Sequence, residues 1–567
     1  AYNKEPVNSA TADAKHGEIK QAAAYATTLT IRKLLDQEKG AAKLELLAQR
    51  TLLDRAFVEH YPQDKRALVI ASQAAQYSFK QAVAEQETLA SAQKHALAES
   101  TSVHVNSAEQ AVIAALFAEV TFYSDFILTT HNIPLCDDQS ISAMATNRPS
   151  SCIRKAKSLQ PKLSANALKQ VQIASQLKAD SFYQQQDYPH AEQSYLLALQ
   201  FLNNQREKSK VNEINELIAS SIYQQGQMLK ESQPQVAVSH WLRLAQVTPK
   251  ASYRANAEFD AANLLLQHQH WAQAVKVLLA FQQHFPRHDY SSSIPAKLAN
   301  SYQQLGQFKQ AAEQLIVMQK SADSTELKRE LQYSIAENYL KAKDLENAIV
   351  HFRRYAHSYP EPFAIAQEVR FKLSEFYRET QEPNKRYFWY RKILAAHKAT
   401  NLNSATESRS TYLASMAAYE LGQAHQQSFT ATKLTLPLNK SLKRKQKSLK
   451  QAVAYYQQVF GFALADFVPK ANYQLASMYQ LLAADVISSQ RPKGLDELAL
   501  EEYEILLEEL AYPFEEKAIE LHSSNAERAW QNIYDAWVIK SFSALAKLEP
   551  AKFDKTEKQP EAIDALY

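Results

Sequence analysis

The chain has 567 residues, with 64 Lys and Arg against 60 Asp and Glu for a formal charge of +4, and only seven glycines against 19 prolines. Phosphate-cradling loops, nucleophile elbows, doubly wound sheets and tight β-hairpins need glycine where the backbone turns left-handed or meets a ligand closely, so this composition disfavours most enzyme superfolds. The near-balanced charge disfavours a nucleic-acid surface, and no run of 18 or more uninterrupted apolar residues marks a membrane span.

Almost throughout, apolar residues recur at three- and four-residue intervals and two-residue alternation is rare, which predicts an all-α protein. Residues 1–160 read as long amphipathic helices with only vague repetition. Their most apolar stretch, Ala111 to Tyr123, carries Glu119 and reads as a buried helix. The chain opens Ala1-Tyr2-Asn3-Lys4 without Met, the expectation for an exported product whose signal peptide is removed, or for a trimmed chain. Cys136 and Cys152, the only two cysteines, flank one polar loop, which predicts a disulfide and an oxidising compartment. Glu99-Ser100 matches the Glu-Ser pair of lytic transglycosylases but lacks their glycine-rich, Met-Gln surroundings, so no active site is assigned there.

Residues 161–400 repeat. Ala274, Ala311 and Ala348 are 37 residues apart, each with an aromatic or Leu three residues before it (Trp271, Phe308, Leu345) and a large apolar residue four after it (Leu278, Leu315, Phe352). Another Ala lies twelve residues upstream of each, at Ala262, Ala299 and Ala336. Small residues let paired helices approach, large ones fill the adjoining holes, and Pro286 and Pro360 stop the second helix. The pattern resembles the tetratricopeptide repeat. A fourth copy carries Ala179, Phe182, Tyr188, Ala191, Tyr195 and Ala198, and degenerate copies follow Ile222, Leu373 and Leu421. The resemblance implies a right-handed α-solenoid of helical hairpins with a concave groove. From each proline to the next first-helix Ala or Leu there are three residues more than the basic motif has, which predicts a lengthened first helix. With its aromatic-Pro closures, this variant is similar to bacterial periplasmic repeat proteins, including the Tol-associated division coordinator and the lipoprotein of the outer-membrane assembly machine.

In that family the groove is lined by fixed first-helix positions. Carried over, they are Asp180, Tyr183 and Gln184; Phe259, Asn263 and Gln267; Asn300, Gln303 and Gln304; and Tyr333, Glu337 and Lys341. Asn263 and Asn300 are placed to hydrogen-bond the backbone of an extended peptide. The carboxylate clamp of chaperone-binding members needs Lys where this chain has Phe259 and Ala296, which disfavours a chaperone tail. His268 with His270 and His284 with His288 have ligand-like spacing but read as turn and surface residues, so no metal or cofactor is expected.

Residues 401–567 read as long, irregular helices with loops near 430–439 and 488–494. Lys440, Lys443, Arg444, Lys445, Lys447 and Lys450 form a basic run, and nine carboxylates fall between Asp496 and Glu516 without one Lys or Arg. The two runs are expected to lie close and offset each other's field. The alternative is contact of the basic run with a membrane surface or an acidic partner, whereas missing interleaved aromatics disfavour nucleic acid. The segment from Tyr512 to Pro550 resembles the carboxyl end of envelope repeat proteins associated with Tol/Ton-like and gliding motors, on Tyr512, Pro513, Glu515, His522, Asn525, Trp530, Tyr534, Trp537 and Ser541. The plainer expectation is a terminal cap hiding the last apolar face.

The sequence therefore predicts three regions, 1–160, 161–400 and 401–567, in a non-catalytic scaffold that binds other envelope proteins or peptides in the periplasm, and the C-terminal resemblance implies coupling to a Tol/Ton-like proton-driven motor. Its alternatives are an accessory factor for outer-membrane or peptidoglycan assembly, and an enzyme whose catalytic module sits in a terminal region.

Overall fold

The 3.6-residue periodicity becomes helix throughout the computed structural model, which describes residues 9–35, 37, 41–98, 107–136, 151–203, 205–399 and 404–555 and has no strand among them. The chain divides into two units, Ala1–Gly306 and Gln307–Tyr567. The first contains α1 (Ser9–Leu35), α2 (Ala41–His60), α3 (Lys65–Ala98), α4 (Ser107–Thr130), α5 (Ser151–Leu159), α6 (Ala165–Gln184), α7 (Tyr188–Leu199), α8 (Lys208–Leu229), α9 (Pro234–Val247), α10 (Tyr253–Gln267), α11 (Trp271–His284) and α12 (Ile294–Gln304). The second contains α13 (Phe308–Ser321), α14 (Thr325–Lys341), α15 (Leu345–Ser358), α16 (Phe363–Glu379), α17 (Pro383–Ala399), α18 (Ser404–Ala431), α19 (Leu438–Phe462), α20 (Val468–Ile487), α21 (Glu497–Glu527), α22 (Ala536–Leu548) and α23 (Pro550–Phe553).

Within each unit a helix packs mainly on its neighbours in sequence, as α6 on α7, α7 on α8 and α8 on α9, or α16 on α17 and α17 on α18. This is the α-solenoid of tetratricopeptide type. The small residues of the repeat sit at the contacts: Ala262, Ala274, Ala311, Ala336 and Ala348 are fully buried, as are Leu278 and Phe352. Gly226 on α8 belongs to the same class of position. A Cβ there would lie 2.2 Å from Trp241 Nε1 on α9, so only hydrogen lets the indole lie flat on the helix.

The turns between paired helices explain how the chain does with so little glycine. Gln186, Gln269, Lys343 and Gln381 adopt φ between 57° and 62°, the left-handed position that Gly306 fills at φ 71° in the equivalent turn. At each, two backbone bonds close the first helix: Lys343 N donates to Leu340 O at 2.9 Å and Asp344 N to Tyr339 O at 3.0 Å. Asp187 and Asp344 then cap the following helices, accepting from His190 N and Asn347 N. The three extra residues of the 37-residue unit do not always lengthen the first helix. Before α12 the added length is taken up in a five-residue 3-10 turn, Asp289–Ser293, because Ile294-Pro295 restarts the chain as the first turn of a new helix.

A charged contact also joins hairpins. Arg243 on α9 donates twice to Glu192 on α7, both at 2.9 Å, and Gln225 on α8 donates to the same carboxylate at 2.7 Å. Glu192 is 1% and Arg243 7% exposed. Every polar atom left unmatched here would carry a desolvation penalty, so the trio fixes how α7, α8 and α9 align.

Helix α4 is long and apolar enough by length and composition to cross a membrane, with a mean hydropathy of 1.7 over its best window. Its Phe117, Val120, Tyr123, Ile127 and Leu128 are buried, it packs on α3 and α6, and Glu119 accepts from Arg55 at 2.8 Å. Cys136 and Cys152 are brought together with Cα atoms 5.5 Å apart, a separation that a disulfide spans. Glu99 and Ser100 lie outside the described residues.

Candidate functional site

The first helices of the hairpins carry the expected groove residues, and three of them, Tyr183, Tyr333 and Glu337, hydrogen-bond to a neighbouring first helix. In the first unit, Tyr183 on α6 shares a hydrogen bond with Ser220 on α8 at 2.6 Å. One hairpin further, Tyr223 donates to Asp260 Oδ2 at 2.5 Å. Asp180 accepts from Tyr195 at 2.6 Å, and burial pushes its carboxyl up to about 6 against the effect of that hydrogen bond. Gln184 is half-buried, and its carbonyl accepts from Gln86 Nε2 at 3.1 Å.

Further along the first unit the face opens. Phe259 stacks on Tyr290 at 4.2 Å between centroids, with Lys297 Nζ 5.3 Å from its ring. Asn263 is half-buried, Gln303 likewise, and Gln267, Asn300 and Gln304 are exposed. The side chains of Asn263, Gln267, Asn300 and Gln304 make no hydrogen bond among the described residues, which leaves their amides able to donate and accept. The nearby histidines are engaged or exposed: His284 meets Arg254 and Glu258, His288 caps Tyr290 N, and His268 and His270 face solvent. Among the described residues no three His, Cys, Asp or Glu side chains converge as metal ligands.

In the second unit the same helix face is hollowed. A cavity of about 250 Å³ is lined from α14 by Tyr333, from α16 by Ala364, Ile365, Gln367 and Glu368, and from α18 by Arg409, Ser410 and Leu413. Arg409 donates to both oxygens of Glu368, at 2.7 and 3.2 Å. Tyr333 and Glu337 both accept from Lys372 Nζ, the former at 3.1 Å, while desolvation opposes these partners and its pKa is nonetheless raised. Lys341 is exposed, its ammonium 5.7 Å from the Phe308 ring. Of the twelve expected groove residues only Tyr333 lines this cavity. Ile365, Glu368, Arg409 and Leu413 come from less regular units, where the motif no longer marks the first-helix positions.

The basic run lies on α19, where Lys440, Lys443, Arg444, Lys447 and Lys450 are exposed. Lys445 is 1% exposed, donates to Thr432 O at 2.9 Å and pairs with Asp485 of α20 at 2.5 Å. Its counter-charge thus comes from α20 and not from the acidic run on α21, because α20 lies between them in the chain and packs on both.

The C-terminal set divides by burial. His522, Asn525 and Ser541 are fully buried, and Asn525 Nδ2 donates to Ser541 Oγ and to Pro469 O, both at 2.9 Å, tying α20, α21 and α22 together. Burial pushes His522 down to about 4. Trp537 packs on Tyr473 at 5.5 Å, and Glu515 is half-buried. Tyr512, Pro513, Trp530 and Tyr534 are exposed.

No protein-family model and no curated protein matches the chain. Among solved structures it is similar to a circular tandem repeat protein with novel repeat topology, at 11% identity over 90% of this chain and 99% of that one, with a TM-score of 0.18. It is also similar to human IFIT1, a dimer with m7Gppp-AAAA, at 15% identity over 87% and 89% with a TM-score of 0.17. A third, BtubC from P. vanneervenii, shows 14% identity over 47% and 94% with a TM-score of 0.14.

Proposed function

We propose that the protein is a non-catalytic scaffold that holds another polypeptide in extended form along its first helices. The observation that carries this reading is the cavity beside Tyr333, where Ala364, Ile365 and Leu413 offer apolar wall and the Glu368–Arg409 pair offers polar edge. That is the chemistry of a slot for one apolar side chain flanked by backbone contacts. The open amides of Asn263 and Asn300 would serve the backbone of a peptide on the first unit. We place this scaffold in the periplasm of a Gram-negative envelope, with Cys136 and Cys152 as a disulfide, which their proximity supports. Its coupling to a Tol/Ton-like motor is supported only by the resemblance of the C-terminal segment.

Peptides selected from a displayed random library on the full chain provide the test. Ile365→Arg is expected to lower their affinity at least about tenfold. Asn263→Ala with Asn300→Ala removes two hydrogen bonds of about 1 kcal/mol each and should cost roughly thirtyfold for peptides bound on the first unit. Both variants should melt as the parent does. Affinity unaltered in both would remove the first-helix face as the binding surface.

A further inference from the structure

The outward side of α21 is composed as an interface. Leu507, Ala511, Ala518 and His522 point into the second unit and are buried. Leu498, Ile505 and Tyr512, spaced by seven, remain 67%, 57% and 59% exposed, and Leu506 beside them is 59% exposed. At about 100° per residue this row falls on the side of the helix opposite Leu507 and Ala511. Four residues after each member of the row stands a carboxylate: Glu502, Glu509 and Glu516.

These charges are largely uncompensated. Glu504 pairs with Arg491 at 3.2 Å and Glu516 meets the Tyr512 hydroxyl, while Glu501, Glu502, Glu508 and Glu509 have no ion pair among the described residues. Glu497 with Glu501 and Glu504 with Glu508 are like charges one turn apart, an arrangement that weakens a helix standing alone in water. A solvated face has no use for Leu498, Ile505 and Leu506, and a purely electrostatic face has no use for a seven-residue apolar row.

We propose that this face docks a basic amphipathic helix of another protein, with apolar residues every seventh position and Lys or Arg placed against Glu502, Glu509 and Glu516. Paired helices interlock through such a row, and flanking charges select the partner. An anionic membrane would be repelled by the carboxylates. Two copies meeting through α21 would oppose like charges. The basic face of α19 on a second copy has the right charge but no matching row, because its Leu442 and Leu449 are buried.

The probe is a labelled amidated peptide of about three heptads with Leu every seventh residue and Lys four residues after each, beside a scrambled peptide of equal composition. Anisotropy should show the ordered peptide binding the full chain at least about tenfold more tightly than the scrambled one, with affinity falling as salt rises. Ile505→Ser, and Glu502→Lys with Glu509→Lys, should each weaken binding about tenfold or more while helical content and melting stay unchanged. Equal binding of both peptides, or full affinity in either variant, overturns the proposal. So does salt-sensitive self-association of the parent in sedimentation that Ile505→Ser abolishes, since the occupant is then a second copy. Asn263→Ala with Asn300→Ala should bind this probe normally, which keeps its outcome separate from that of the peptide-holding face.

Discussion

Replacing Gly226 by Ala sets two effects of opposite sign against each other. In a helix interior alanine is favoured over glycine by about 1 kcal/mol. At this position the new methyl would lie 2.2 Å from Trp241 Nε1 and 2.6 Å from Cδ1 and Cε2, distances at which something must move. The indole has little room to retreat, being 2% exposed with its N–H donating to Tyr223 O at 3.0 Å. Overpacking costs about 1–3 kcal/mol, and a buried N–H that loses its acceptor costs a further 1–3 or so. The clash therefore wins, and we expect a net loss of about 2 kcal/mol or more, seen as a lower melting temperature by circular dichroism and faster amide exchange in α8 and α9. Gly17→Ala is the matched control: a Cβ there has nothing within 4 Å, so only the propensity gain remains and the melting temperature should hold or rise. A Gly226→Ala protein that melts at or above the parent would refute the close-approach argument.

Lys343 holds φ 60° in a turn whose equivalent carries Gly306. Lys343→Gly should relieve backbone strain of about 1 kcal/mol or slightly more, less what glycine adds to the unfolded chain's freedom, and raise the urea midpoint at constant slope. A lower midpoint would show that the turn is not strained. His522 gives a pH test in the same unit. With its folded value pushed down to about 4 from 6.5, the unfolded chain binds more protons between these values. Stability is then fully present above about 6.5 and declines as the pH falls toward 4, by a few kcal/mol at most. His522→Gln should flatten the difference between urea midpoints at pH 7 and pH 5, and an unchanged difference would assign the acid sensitivity elsewhere.

The first-helix face shows how far a repeat can be read. Where units keep register, the motif located Ala262, Ala274, Ala311, Ala336 and Ala348, all fully buried, because a small residue at a fixed interval records a helix contact directly. In the looser units that make the cavity, Ile365 and Arg409 had no motif to mark them. The row Leu498, Ile505, Tyr512 was present as a seven-residue interval, but its meaning was hidden, since α21 has apolar residues on both sides and periodicity alone does not say which side the unit covers.

Sequence periodicity by itself determined that the chain is helical, that its helices pair, and that small residues sit where they meet. Those properties depend on neighbours within about forty residues, so local spacing encodes them. Only the tertiary structure decided that Arg243 lies against Glu192, that Lys445 is buried against Asp485, and that α21 turns its Leu498 side outward. Each of these depends on how one helix is rotated and shifted against another, a quantity fixed by packing across several helices at once and written at no single position in the chain.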